Sequence, residues 1–180
     1  MEGFAARYGG WAVVTGAAQG VGLAFTEALI ERGLGVVMVD VAPQLENVAA
    51  ELGDEATVRS LVADLKNPAW IEALGSATQG LEVGLAIANA GVAFVGRYLD
   101  MAPARRRAII DVNCAATADL ASWALPAMVD RGRGAFVATS SGSALAGTGG
   151  VALYSATKAF SVNLVEALGW ELADTGADAL

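Results

Sequence analysis

Two side chains four positions apart, Tyr154 and Lys158 in the run Tyr154-Ser155-Ala156-Thr157-Lys158, have the types and spacing for proton transfer. On a helix that spacing puts both on one face, one turn apart. A free phenol releases its proton only near pH 10, to about a unit, so it is a poor base at neutrality. An ammonium beside it favours the phenolate and makes the pair a candidate acid/base. Lys158 is one of only two lysines in the chain, the other being Lys66, so the pairing is not a by-product of lysine abundance. Taken alone, the pair also reads as an incidental exposed couple on a helix.

A second constellation suits an anion. Residues 15–22 read TGAAQGVG and stand between an apolar run and a helical pattern. A turn that opens a helix presents unpaired N–H groups and the positive end of the helix dipole, which together suit a pyrophosphate. Gly16 and Gly20 permit a tight turn and close approach of phosphates around Gln19 and Val21. Gly22 lets the helix pack closely on the sheet. The alternative is a glycine-rich turn that binds nothing. No Lys-Ser/Thr pair follows the last glycine, which excludes a P-loop. Asp40 closes the next apolar run, where a dinucleotide fold meets the adenosine ribose. A carboxylate there accepts from both hydroxyls and repels a 2′-phosphate, and neither Val39 nor Val41 supplies a compensating base. The alternative is a solvated loop aspartate.

The elements that must carry these residues follow from the apolar pattern. Val-rich runs at 11–14, 35–40, 57–62, 83–88 and 136–139 read as strands. Helical patterns lie between them at 21–32, 44–52, 68–78 and 103–129, and a last one covers 154–173. Gly33 stops the first helix, and Asn67 caps the third with Pro68 at its first position. Continuous apolar strands separated by helices require a parallel sheet covered on both faces, and right-handed crossovers make it a doubly wound α/β, Rossmann-type fold. At 180 residues, without repeat or linker, the whole chain 1–180 fits one domain.

Composition narrows the function. The hydrophobic fraction is 55% and the mean hydropathy +0.50, which excludes a disordered chain. With a net charge of −8, the one basic run, Arg105-Arg106-Arg107, reads as an exposed helix start rather than a nucleic-acid contact. A lone cysteine, Cys114, and the lack of any histidine argue against a disulfide or a metal centre. The first ten residues have no apolar core of an export signal. The uncharged stretch 134–157 is rich in Ser, Thr and Gly, unlike a membrane span. A cytoplasmic protein without membrane or nucleic-acid partners is the expectation. A serine hydrolase built on Ser141 or Ser143 lacks both GxSxG and a histidine base.

The glycine turn, Asp40, Asp64-Leu65, Asn89-Ala90-Gly91, Asn113, Ser140-Ser141 and Tyr154…Lys158, in that order, resemble the motif set of the short-chain dehydrogenase/reductase family. The spacing TGxxxGxG is similar to its ordinary oxidoreductases. The resemblance implies hydride transfer between NAD(H) and a secondary alcohol or ketone. It makes Tyr154 the general acid/base, with Lys158 binding the nicotinamide ribose and tuning Tyr154. Ser141 would hydrogen-bond the substrate oxygen, and Asn113 would hold a water linking Lys158 to solvent. Asp64 would contact the adenine with Leu65 beside it, and Asn89, Ala90 and Gly91 would support the sheet and line the cofactor cleft. The family's dimers imply a homo-oligomer built on helices 103–129 and 154–173.

Two departures accompany the resemblance. Ala88 stands where many members have an Asn. The chain also stops at Leu180, where members continue into two further strands and a substrate-covering helical segment. Strands six and seven are therefore expected to be missing, with 176–180 at most the start of the sixth and the fifth strand left as an open edge. The competing reading is a weakly active or inactive NAD-binding fragment. Val92, Ala93, Phe94, Leu145, Val151 and Leu153 are the pocket-facing candidates. Their apolar or small side chains point to an uncharged, hydrophobic alcohol.

Overall fold

The computed structural model describes residues 3–180; Met1 and Glu2, part of the stretch read above as no export signal, lie outside the described residues. Six parallel strands form one sheet in the order β3-β2-β1-β4-β5-β6. They are β1 (Trp11–Thr15), β2 (Gly35–Asp40), β3 (Val58–Val62), β4 (Val83–Ala88), β5 (Gly134–Ala138) and β6 (Ala177–Ala179). The sequences of β1, β2, β4 and β5 are largely apolar on both faces because helices cover both. Val13, Val37, Ala86 and Phe136 point to α4 (Trp70–Ala77) and α6 (Ala116–Arg131), with α7 (Ala152–Glu171) beside them. Ala12, Val14, Val36, Met38 and Ile87 point to α2 (Gly20–Glu31) and α3 (Leu45–Leu52).

The doubly wound fold stands, and several details of its expected elements change. Strand six is present, not missing. Ala177–Ala179 pairs with Gly134–Phe136, so β5 is not an open edge, and Arg7 of α1 (Phe4–Tyr8) bonds Asp178 at 3.1 Å. No seventh strand occurs among the described residues. The short helix α1 was not anticipated. Its five residues are held from far along the chain, by Asp178 and by Arg133 donating to the Ala6 carbonyl at 3.0 Å. Helix 68–78 starts later, at Trp70. Asn67 is not its cap: the N-cap is Ala69, without a side-chain bond, and Asn67 accepts from the Ala69 N–H at 3.2 Å in the turn before the helix.

The long helix 103–129 is three segments rather than one. It runs as α5 (Pro103–Ile110), a π-helical turn Asp111–Ala115 and α6. A π turn inserts one residue into the helical register and re-aims the side chains around it. The side chain it aims inward is Asn113, only 1% exposed.

Candidate active site

Strand order reverses between β1 and β4, and a cleft of about 740 Å³ opens there, beside the carboxyl ends of the strands. Gly16, Gln19, Gly20, Val21, Asp40, Asp64, Leu65, Asn89, Ala90 and Gly91 all line it. Gly22 does not, because it is buried beneath the turn. A Cβ on Gly22 would run into the Gly16 carbonyl oxygen and stand 2.6 Å from Asn89 Nδ2. Gly16 has φ +68°, and a Cβ there would meet Ala90 Cα at 2.8 Å. The turn thus lies against the loop after β4 with no room for a side chain.

Thr15 and Asn89 make that contact. Asn89 Nδ2 donates to the carbonyls of Thr15 (3.0 Å) and Gly16 (3.3 Å). The Thr15 hydroxyl accepts from the amides of Asn89 and Ala90, both at 3.1 Å. The first amides of α2 have no intrahelical partner, and Gln19 provides no side-chain cap. They are donors for an anion.

At the far end of the cleft Asp40 accepts from the amides of Ala18 and Ala42, each at 3.0 Å, which fixes the carboxylate between turn and strand end. Asp64 accepts from the Lys66 amide at 3.0 Å and pairs with Lys66 Nζ at 3.1 Å. The amide bond is the main reason its carboxyl titrates below the usual aspartate range. The donors, volume and side-chain-free cradle fit a dinucleotide: amides for the diphosphate, Asp40 for a ribose, and Asp64-Leu65 as the wall at the base end.

Tyr154, Lys158, Ser141 and Asn113 do not line this cleft; Lys158 and Asn113 stand beyond its Gly91 end, with Tyr154 one turn before Lys158 on α7. A Cβ on Gly91 would stand 3.5 Å from Lys158 Nζ and 3.7 Å from Asn113 Oδ1. Lys158 Nζ lies 5.9 Å from the Tyr154 ring centre and donates to the Thr139 carbonyl at 2.7 Å. Ser140 holds the same helix by donating to the Lys158 carbonyl at 3.1 Å. Burial pushes the Lys158 ammonium below the usual lysine range. The Ser141 hydroxyl accepts from the amide of Ser143 at 3.3 Å and from its hydroxyl at 3.0 Å, which leaves its own proton available for a substrate oxygen. The Asn113 side chain is bonded to two other segments of the chain. Oδ1 accepts from the Val92 amide (2.9 Å), and Nδ2 donates to the Val92 carbonyl (3.0 Å) and to Thr157 Oγ1 (2.9 Å). Thr157 in turn donates to the Tyr154 carbonyl at 2.8 Å.

Sequence reasoning missed Thr157, Thr15, Thr139 and the cleft wall made by Lys66, Arg105, Ala108 and Val112. The last three share one helical face by spacing, a signal that was present. Thr139 acts through its carbonyl, for which no side-chain type is a signal. Of the pocket-facing candidates, Val92 lines the cleft while Leu145 is 87% exposed. The loops holding them are stitched by the Gly96 amide donating to the Gly150 carbonyl at 2.8 Å. Among the described residues no helix is long and apolar enough to cross a membrane. No group of three metal-ligating side chains occurs among them either.

A doubly wound sheet with a glycine turn at its switch point defines the class of dinucleotide-fold proteins. The chain matches the family model for short chain dehydrogenase over residues 10–178, and it belongs to that family. It is 34% identical over 176 residues to human inactive hydroxysteroid dehydrogenase-like protein 1, covering 94% of this chain and 53% of that protein. Two solved structures are similar. A short-chain dehydrogenase from Sphingobium yanoikuyae in complex with NADPH has TM-score 0.86 and 32% identity, with 94% of this chain and 68% of that one covered. A 3-ketoacyl-(acyl-carrier-protein) reductase from Brucella melitensis complexed with NADH has TM-score 0.88 and 26% identity, with 95% and 73% covered. The chain thus spans about half the length of the human relative.

Proposed function

We propose that this chain forms an NAD-binding oxidoreductase domain that interconverts a secondary alcohol and a ketone. The observation that carries this reading is the placement of Lys158 against Gly91 at one end of a dinucleotide-shaped cleft, with the Tyr154 ring 5.9 Å from its Nζ. The cofactor supplies or accepts the hydride. Tyr154 exchanges the hydroxyl proton of the substrate, with Lys158 one helical turn away on α7. Ser141 donates to the substrate oxygen as charge builds there. Lys158 also reaches the ribose beside Gly91. Asn113 joins the Val92 loop to α7 and holds the proton path near Lys158.

NAD is favoured over NADP because the fixed Asp40 carboxylate repels a 2′-phosphate. Val41 offers no base, and Lys66 is held by Asp64. The substrate is an uncharged, hydrophobic small molecule, in keeping with Val92 and the apolar loops around it. Self-association through α6 and α7 and a cytoplasmic setting complete the proposal. A second reading, an NAD-binding chain with little or no turnover, is favoured by the name of the human relative.

One experiment separates the two readings. NADH and NADPH are titrated by fluorescence, and a panel of secondary alcohols is then assayed with NAD, for the wild type and Tyr154→Phe. The expected result is an NADH affinity at least about tenfold above that for NADPH, a difference of about 1.4 kcal/mol. Tyr154→Phe should bind NADH within a few-fold of wild type while turnover falls by about 10²-fold or more. Equal rates for Tyr154→Phe and wild type sink the mechanism. NADH binding without turnover establishes the second reading.

A further inference from the structure

The chain's only basic run, residues 105–107, was read as an exposed helix start, and the structure splits it into three different roles. Arg107 Nε pairs with Asp111 at 2.8 Å on the surface. Arg106 donates to the Met101 carbonyl at 2.7 Å, with its guanidinium 5.6 Å from the Tyr98 ring centre. Arg105 lines the dinucleotide cleft, on the same helical face as Ala108 and Val112. Its Nη2 donates to the Ala93 carbonyl at 3.0 Å, which holds the guanidinium at the lip of the cleft. Four N–H donors remain free for a ligand. No carboxylate among the described residues pairs with it.

The charge around the cleft gives this cation its significance. The turn 15–22 holds no basic residue. Asp40 and Asp64 line the cleft, and the one lysine there, Lys66, is matched by Asp64. A dinucleotide brings two phosphate charges to a chain whose own net charge is −8. Helix amides offer partial charge only, which falls off within a turn. Among the described residues, Arg105 is the one side-chain cation lining the cleft that no acid neutralises.

We propose that Arg105 engages the diphosphate of the cofactor and sets the strength and salt dependence of its binding. This rests on the cofactor reading above and adds a residue to it. Guanidinium binds phosphate by charge-assisted, often bidentate hydrogen bonds, and an exposed contact of that kind is screened by salt.

The test is fluorescence titration of NADH and NADPH against wild type, Arg105→Ala, Arg105→Lys and Arg107→Ala, from about 20 mM to about 1 M NaCl. At the low end Arg105→Ala should bind both nucleotides about three- to tenfold more weakly than wild type. The curves should converge near 1 M, where the screening length is about 3 Å. Arg105→Lys keeps the charge and should recover most of the loss. Arg107→Ala removes the same charge away from the cleft and should titrate as wild type. An Arg105→Ala curve that matches wild type at low salt overturns the inference, as does a deficit that is equal at every salt concentration. A loss confined to NADPH overturns it as well, by assigning Arg105 to a 2′-phosphate. Failure of the wild type to bind either nucleotide defeats the cofactor reading itself. Binding by wild type with no Arg105 effect defeats only this inference.

Discussion

Lys158 is only 5% exposed and pairs with no carboxylate among the described residues, so its charge rests on the Thr139 carbonyl and on whatever occupies the space beside Gly91. Burial lowers its pKa below the ordinary lysine value. Between those two values the unfolded chain holds a proton that the folded chain has released. Stability therefore rises with pH across that window, and the cost of the buried charge is fully present below it. The stability of wild type relative to Lys158→Met should accordingly increase as pH climbs into the alkaline range, by up to about 1.4 kcal/mol per pH unit inside the window. Urea unfolding of both proteins at several pH values measures this. A difference that stays constant with pH would show that Lys158 keeps its ordinary titration. Lys158→Met should also weaken NADH binding, since the same ammonium is proposed to meet the ribose.

Among the elements, α2 shows a helix start set by close approach rather than by propensity. In a helix Ala is favoured over Gly by about 1 kcal/mol, so Gly22→Ala would stabilise an isolated α2. In the protein the added methyl meets the Gly16 carbonyl and Asn89 Nδ2, which tie the turn to β4. Forcing them apart costs about 1–3 kcal/mol, which outweighs the propensity gain. Gly22→Ala should lower thermal stability and weaken NADH binding. Gly147→Ala, whose Cβ would meet nothing within 4 Å, should change neither. Calorimetry and NADH titration check the pair, and unaltered binding in Gly22→Ala would break the link between turn and cofactor. The π turn is an element of the opposite kind. Residues 103–129 have one continuous helical pattern, and what interrupts it is Asn113 bonding to Val92 and Thr157, each distant in sequence.

On the scale of the whole molecule, α7 presents Trp170 at 85% exposure, with Phe160 at 37% on the same helix. A tryptophan that open to water is a liability unless a partner covers it. This suits the proposed self-association through α6 and α7, in which a symmetric interface would bury Trp170. Sedimentation velocity at micromolar concentration should find wild type larger than a monomer and Trp170→Glu shifted towards one. A wild type that sediments as a well-folded monomer would remove the oligomer from the proposal. Strand β6 belongs to the same scale. Its three residues pair with β5, and the Arg7–Asp178 ion pair joins side chains from both ends of the described chain at that edge.

What the sequence determined by itself was the alternation of apolar strands and helices, the glycine turn, and the order of Asp40, Asn89, Asn113, Ser141, Tyr154 and Lys158. These are local or periodic signals, and burial on both faces of a parallel sheet leaves few other ways to satisfy them. The sequence did not reveal α1 or the break in the long helix, and it offered 176–180 only as the start of a sixth strand, where β6 lies. Each of these is fixed by partners far along the chain: Asp178 for Arg7, the β5 backbone for Ala177–Ala179, and Val92 with Thr157 for Asn113. Arg105 had the right spacing with Ala108 and Val112, yet only the folded chain decides which arginine of three faces the cleft. Local pattern says which face of an element is buried. What that face meets depends on the packing of elements brought together from distant sequence, and there the tertiary structure alone decides.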